Sequence, residues 1–439
     1  MSERRIAVVG GGWAGLAAAV EATSRGAAVT LYEMAPGLGG RARRIDDGRT
    51  GPVLDNGQHI LIGAYVQTLA LMRCVGVEPD AVLQRMPLTL LDAQGRGLRL
   101  PPGAPLVAFV RGVLAARGWP WRDRLALLRA AWRWQRAGFR CADDLTVEGL
   151  AADLPAALRR DFIEPLCVAA LNTPAGVASA RVFLRVLHDA LFAGPGSADL
   201  LLPRVDLGAL LPDPASAWLE ARGARVQRRA RVMRLQREAA GRWSVAVSDG
   251  TTATFDAVVL ACSSVEAARL AAEHAAPWAE QAAALPHEPI VTVLLHAPGA
   301  RLAQPMLALA STAADGDAPA QFVFDLGLLR SGEPRAAGCL AFVISGAAAA
   351  IERGLDLVGA VVLAQARRQL GARLGHAPTV LRVLADKRAT LRCTTGLARP
   401  PATIAPGLVA AGDHIEGPYP STLEGAVRSG TATVGLILR

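Results

Sequence analysis

Near its start the chain runs through an unbroken apolar stretch, Ile6-Ala-Val-Val9, then a cluster of glycines. It turns apolar again from Trp13 to Val20, and once more at Val29-Thr-Leu-Tyr32. Short apolar runs bounded by glycine read as strands buried on both faces, and the longer stretch between them reads as a helix. The same character returns at Asp256-Ala-Val-Val-Leu-Ala261 and at Gly407-Leu-Val-Ala-Ala-Gly412, with a closing helix expected from about Leu423. Between these runs the pattern changes. Pro87 to Leu100 reads as a hairpin turning through Asp92 to Gly95. Ala104 to Leu191 reads as mainly helical, with breaks at Pro120, Pro155 and Pro174. Val226 to Val247 reads as paired strands, and further strands are expected at Val291–Leu295 and Cys339–Ile344. No internal repeat or low-complexity linker interrupts the chain. This distribution predicts an α/β fold in which a Rossmann-like domain (1–75, 200–265 and 386–439) is interleaved with an α+β substrate domain (76–199 and 266–385).

The glycines between the first strand and helix carry chemistry. Gly10-x-Gly12-x-x-Gly15 supplies a tight turn, a bare backbone that a pyrophosphate can approach, and a close strand–helix contact. Glu33 follows Gly15 by 18 residues, at the end of the second strand, where an acid holds a ribose hydroxyl. Strand, glycines, helix and acid in register predict a dinucleotide site. Gly37-Leu-Gly-Gly-Arg41 places a cation just beyond. In Val53-Leu-Asp55-Asn-Gly57-Gln58-His59-Ile60, polar residues and a glycine interrupt an apolar context, a pattern costly to bury unless the groups are used. Arg4 and Arg5 precede the first apolar run, as in an export signal. Removing such a signal would delete the glycines that Glu33 requires, so this run is read as strand and helix.

Composition narrows the class. The chain has 439 residues, 52% hydrophobic, with aromatics at only 5%. No run of about 18 uncharged apolar residues predicts a spanning helix, so the apolar surplus points to a large core, an oily cavity or a membrane-facing surface. The net charge is +9, and Lys387 is the sole lysine. No nucleic-acid motif accompanies that charge. Six scattered cysteines without Cys-x-x-Cys predict reduced thiols, and seven histidines show no metal-ligand spacing. Residues 111–140 hold eight arginines and one acid. Arg122, Arg129, Arg133, Arg136 and Arg140 are expected on one helix face, with Leu127, Leu128, Trp132, Trp134 and Phe139 occupying the rest. Such a helix suits an anionic membrane interface, which predicts a cytoplasmic protein held peripherally on the inner face of the membrane.

The first glycine motif, Glu33, Gly39-Gly40-Arg41 and Gly412-Asp413 together resemble the amine-oxidase and phytoene-desaturase superfamily of FAD enzymes. Several runs resemble the hydroxysqualene dehydroxylases within it more closely. They are Asp55 to His59, Pro165-Leu-Cys167, Ala170-Leu-Asn172-Thr-Pro174, Leu202-Pro-Arg204 and Tyr419 to Gly430. The resemblance implies FAD held by Gly10, Gly12, Trp13, Ala14, Gly15, Glu33, Gly40, Arg41, Gly57, Gln58, Val232, Gly412, Asp413, Thr422 and Leu423. It implies reductive loss of the hydroxyl of hydroxysqualene to give squalene, with an unspecified electron donor. His59 and Asp55 are the first candidates for the acid that protonates the leaving hydroxyl; His414, Glu416 and Tyr419 form the second cluster. Cys167 and Asn172 are expected to shape the substrate tunnel. A carotenoid-type desaturase, an amine oxidase (for which no aromatic cage is identifiable) and a flavin-free lipid escort are the alternatives.

Overall fold

The computed structural model describes residues 4–45, 53–312 and 316–438; the first three residues of Met1 to Arg5 lie outside it. In chain order the elements that build the site begin with β1 (Arg5–Val9), α1 (Trp13–Ser24) and β2 (Ala28–Glu33). Then come α2 (Pro105–Ala115), α3 (Trp121–Arg136), α4 (Glu164–Leu171), β3 (Arg225–Arg228), β4 (Ala257–Leu260), β5 (His287–His296) and β6 (Met306–Ala308). The set closes with β7 (Phe322–Asp325), β8 (Cys339–Ser345), β9 (Thr379–Leu391), β10 (Thr403–Ala405), β11 (Leu408–Ala410) and α5 (Leu423–Ile437).

β1 lies inside a six-stranded sheet ordered β3-β2-β1-β4-β11-β10, parallel except for the β10 edge. Its four apolar residues are 0–6% exposed because both faces are covered. Ile6 and Val8 pack with α1 and α5. Ala7 and Val9 turn the other way, onto a three-stranded antiparallel sheet carrying Trp243, Val245 and Phe255. Fully burying one such Val or Ile contributes about 1.5–3 kcal/mol, so the continuous apolar run is what places this strand centrally. α1 is apolar nearly all round because it is sandwiched. Where α5 crosses it, a Cβ on Gly430 would lie 2.1 Å from the Ala14 carbonyl oxygen.

The second sheet is antiparallel, in the order β6-β7-β8-β5-β9. Val291, Val293 and Leu295 of β5 face a core with the helix Leu355–Leu370, while Ile290 and Thr292 face the other way. The expected hairpin forms from Thr89–Leu91 and Gly97–Arg99. The expected pairing across Val226–Val247 is corrected. Arg225–Arg228 joins β2 in the parallel sheet, and only Val232–Arg237 and Trp243–Val247 form an antiparallel pair. The chain changes sheets at Arg229, which takes a left-handed φ of 57°.

The arginine-rich stretch also departs from expectation. α3 ends at Arg136, and Gly138 and Phe139 take left-handed conformations, so Arg140 is off the helix. Leu127, Ala130, Ala131 and Trp134 face inward. Trp121, Leu125 and Trp132 stand outside among the arginines, at 63%, 43% and 57% exposure. Steps of four and seven residues put these apolar groups on the arginine face rather than opposite it. No helix among the described residues is long and apolar enough to cross a membrane.

Candidate functional site

The carboxyl ends of β1, β2, β4 and β11 open on a cavity of about 600 Å³ that reaches across to the second sheet. Ligands bind at this edge of parallel sheets because loops and helix N-termini converge there. Gly10 has a φ of 110°, and a Cβ on it would sit 2.5 Å from the Ala261 carbonyl oxygen. A Cβ on Gly15 would come within 1.8 Å of the Gly10 oxygen, so that glycine is required by packing. Gly12 differs. A Cβ there would meet nothing closer than Gly40 Cα at 3.8 Å, which leaves the space to a ligand. α1 begins without a side-chain cap, and Gly12, Trp13 and Ala14 line the cavity, so the positive end of its dipole faces in. Glu33 is 8% exposed; one carboxylate oxygen accepts the Gly11 N–H and the other the Ala35 N–H, each at 2.7 Å. Uncapped amides, bare glycines and a pinned acid fit a dinucleotide.

Arg41 and Asp413 close one corner. They form a direct ion pair, and Arg41 also donates to the Ala389 carbonyl at 2.9 Å. Burial would raise the Asp413 carboxyl, but the Arg41 guanidinium, His414 and a backbone amide together outweigh it and hold the group below its ordinary value. Beside it, burial pushes the His414 imidazole down to about 4 against the opposing charge of Asp413. A Cβ on Gly412 would lie 2.6 Å from that ring. Thr422 accepts the Gly425 N–H at 2.9 Å, capping α5, and both it and Leu423 line the cavity.

The wall supplied by the second sheet and α4 mixes apolar residues, Ala169, Ala170, Leu171, Ile290 and Leu384, with polar ones, His287, Thr292, Ser345, Asp386, Arg388 and Thr390, and Ile60 adjoins it. Asn172 ends α4 in a left-handed turn (φ 47°). Its amide donates to Glu288 O (3.1 Å) and Thr390 Oγ1 (2.9 Å), and its oxygen accepts the Gly346 N–H (2.7 Å). One side chain thereby ties α4 to the ends of three strands.

Of the expected cofactor residues, Gly10, Gly12, Trp13, Ala14, Glu33, Gly40, Arg41, Gly57, Gln58, Val232, Gly412, Asp413, Thr422 and Leu423 line this cavity, and Gly15 packs behind it. The candidate acids fare differently. Asp55 is not in the cavity wall; it is ion-paired with Arg330 and accepts the Leu207 N–H at 2.9 Å. Glu416 is exposed and lies outside the wall. Tyr419 is also outside it, donating its hydroxyl to Asp189 at 2.6 Å. His59 does line the cavity, but burial pushes its imidazole down to about 4, with Gly57 opposing and Arg41 adding to the shift. At neutral pH it is therefore an uncharged hydrogen-bonding group, not an imidazolium holding a proton. Cys167, on α4 itself, is fully buried and not part of the wall, its thiol donating to Thr173 O. Residues that local pattern did not single out, Thr292, Asp386, His287 and Tyr65, also line the cavity. Asp386 accepts from Asn56 Nδ2 at 3.1 Å.

The profile of the family described as flavin containing amine oxidoreductase matches residues 13–438. A hydroxysqualene dehydroxylase of Sinorhizobium fredii is 31% identical over 245 residues, covering 54% of this chain and 55% of that protein. A zeta-carotene desaturase of Zea mays is 33% identical over 114 residues, covering 24% of this chain and 20% of that protein. The chain thus spans about half the length of the curated dehydroxylases it matches. In structure it is similar to an oxidoreductase from Methanosarcina mazei, with a TM-score of 0.74 and 17% identity over 98% of this chain and 100% of that one.

Proposed function

We propose, from the premise that this chain belongs to the flavin containing amine oxidoreductase family and is an FAD-dependent oxidoreductase, that it removes the hydroxyl of hydroxysqualene reductively to give squalene. The observation that carries this reading is the cavity itself, which joins a dinucleotide cradle to a wall where an apolar patch of Ala169, Ala170, Leu171, Ile290 and Leu384 surrounds unpaired polar atoms. Similarity to dehydroxylases over half the chain supports it. Gly10, Gly12, Glu33, Arg41, Gly412 and Asp413 would hold FAD, which when reduced supplies a hydride. The chain's own residues then have three tasks. Ile60, Ile290, Leu384 and the α4 end exclude water from the hydrocarbon. The Asn172 tie fixes α4 against the second sheet and so holds the shape of the wall they share. Neutral His59 offers a hydrogen-bonding nitrogen where the hydroxyl departs. The C–O bond would break as the hydroxyl takes a proton drawn from solvent and leaves as water, and the hydride that reduced FAD supplies would take its place at carbon. A zeta-carotene-type desaturation is the second reading; the similarity that favours it covers 24% of this chain. Anaerobic incubation of the reduced flavoprotein with hydroxysqualene, with analysis of the extracted lipid, separates the two.

We also infer a peripheral position on the cytoplasmic face of an anionic membrane. Trp121, Leu125 and Trp132 on α3 stand exposed beside Leu106 and Val107 of α2, at 46% and 53% exposure. Arg122, Arg129 and Arg136 surround them, Arg136 lying 5.4 Å over the Trp132 ring. Interfacial tryptophan ringed by arginine suits lipid headgroups and their acyl boundary, and the substrate class is insoluble in water.

A further inference from the structure

The second-sheet wall of the cavity carries a polar atom with no assigned task. Thr292 sits in the middle of β5, in register with Val343 of β8 and Leu384 of β9. It is 2% exposed, and its Oγ1 has no hydrogen-bond partner. Ile290 and Leu384 flank it in the wall. Leaving a hydroxyl buried and unpaired is unfavourable, a cost that a valine of the same shape would avoid. Facing it is a bare backbone: a Cβ on Gly57 would lie 3.7 Å from Thr292 Oγ1 and 3.9 Å from His59 Cε1. The hydroxyl and the imidazole therefore flank the same glycine, and His59 Nδ1 is likewise buried and without a partner. Of the other unpartnered atoms in the described cavity wall, Ser264 Oγ opens the helix Ser264–Ala271 after β4 and His414 Nε2 lies at the Asp413 corner.

We propose that Thr292 is the specificity residue of the cavity, binding the hydroxyl of an isoprenoid alcohol through Oγ1, with His59 Nδ1 as the second contact. This rests on the reading above that the substrate is a hydroxylated isoprenoid, and it names the group that recognises the hydroxyl. A hydrocarbon polyene has nothing to offer these two atoms; an alcohol can donate to one and accept from the other. An apolar pocket discriminates poorly by shape alone, whereas a site built to pair a hydroxyl rejects the analogue that lacks it.

The test uses oxidised, FAD-loaded protein, so that binding is read without turnover. Binding of hydroxysqualene and squalene, and of geranylgeraniol and its parent hydrocarbon, is followed by flavin absorbance in one detergent for the wild type, Thr292→Val and Thr292→Ser. The wild type is expected to prefer each alcohol to its hydrocarbon. Thr292→Val should weaken the alcohols about tenfold, the loss of roughly one hydrogen bond, and leave the hydrocarbons and FAD affinity unchanged. Thr292→Ser should restore most of the preference. Equal weakening of alcohol and hydrocarbon, or a fall in FAD affinity with the alcohol preference intact, would overturn the assignment. So would a wild type with no alcohol preference. A preference erased by Thr292→Val in a protein that makes no squalene when reduced would retain Thr292 and remove the dehydroxylase reading instead.

Discussion

Glu33 shows how one side chain can serve fold and ligand together. Its two oxygens take the Gly11 and Ala35 amides, so the carboxylate both shapes the glycine turn and presents charge to the cavity. Glu33→Ala should lower FAD affinity by roughly 10–100-fold, since it removes the carboxylate expected to accept a ribose hydroxyl, a charge-assisted hydrogen bond worth about 1.5–3 kcal/mol; titration of apoprotein with FAD, read by flavin fluorescence, checks this. The histidines give a pH signature. His59 and His414 are held near 4, so each binds its proton more readily in the unfolded chain, where the ordinary value is near 6.5. Acidification from about 6.5 towards 4 therefore favours unfolding, and stability rises with pH across that window. His414→Gln should flatten the pH dependence of the melting temperature there; an unchanged slope would show that His414 is not the titrating group. Glu33 and the glycines were legible because their signal is local, strand to acid within 29 residues of Arg5. Thr292 gave only a faint sign, one polar residue inside Ile290-Val-Thr-Val-Leu-Leu295. Its meaning depends on Gly57 and His59, which tertiary folding alone brings beside it.

Elements transmit these placements. α4 ends where Asn172 adopts a left-handed turn and bonds to both β5 and β9 and to the residue following β8. Asn172→Ala leaves several buried backbone groups unpaired and should destabilise the protein by about 2–3 kcal/mol, as measured by chemical denaturation. The run Ala170 to Pro174 drew notice through family resemblance, but the role of its asparagine as a knot between sheet and helix is a long-range fact. α3 carries a second lesson. Arginine spacing correctly marked an exposed face, yet Trp121 and Trp132 lie on that face rather than in the core, because only Leu127, Ala130, Ala131 and Trp134 have a partner surface beneath. Arg122→Gln with Arg129→Gln should weaken binding to phosphatidylglycerol vesicles roughly 30-fold, at about 1 kcal/mol per arginine, with flotation as the readout. Equal binding of wild type and double variant would remove lipid from the role of this face.

At the scale of the molecule, two sheets of different construction share one cavity. The parallel sheet draws strands from the beginning, middle and end of the chain, and brings Arg41 to Asp413 across 372 positions. Its central strands were readable, since β1, β2 and β11 each carry an apolar run ending in glycine or acid and β4 repeats the run, whereas the polar edge strand β3 was not. Of the antiparallel sheet only β5 and β8 were readable, and only as separate strands, because alternating and mixed patterns do not state their partners. The candidate acids illustrate the limit. Asp55 and Glu416 stood in suggestive runs, and folding sent one to a buried ion pair with Arg330 and the other to the surface. What remains at the cavity is a dinucleotide cradle, a wall of mixed apolar and polar residues and a few unpaired polar atoms, the features on which the proposed dehydroxylation rests. The most direct test is a single anaerobic turnover: the purified flavoprotein is reduced, hydroxysqualene is added in detergent, and flavin absorbance and extracted lipid are followed together. Flavin reoxidation with one squalene formed per flavin is the expected result. Reducible, bound flavin that stays reduced while hydroxysqualene is recovered intact would contradict the proposed reaction.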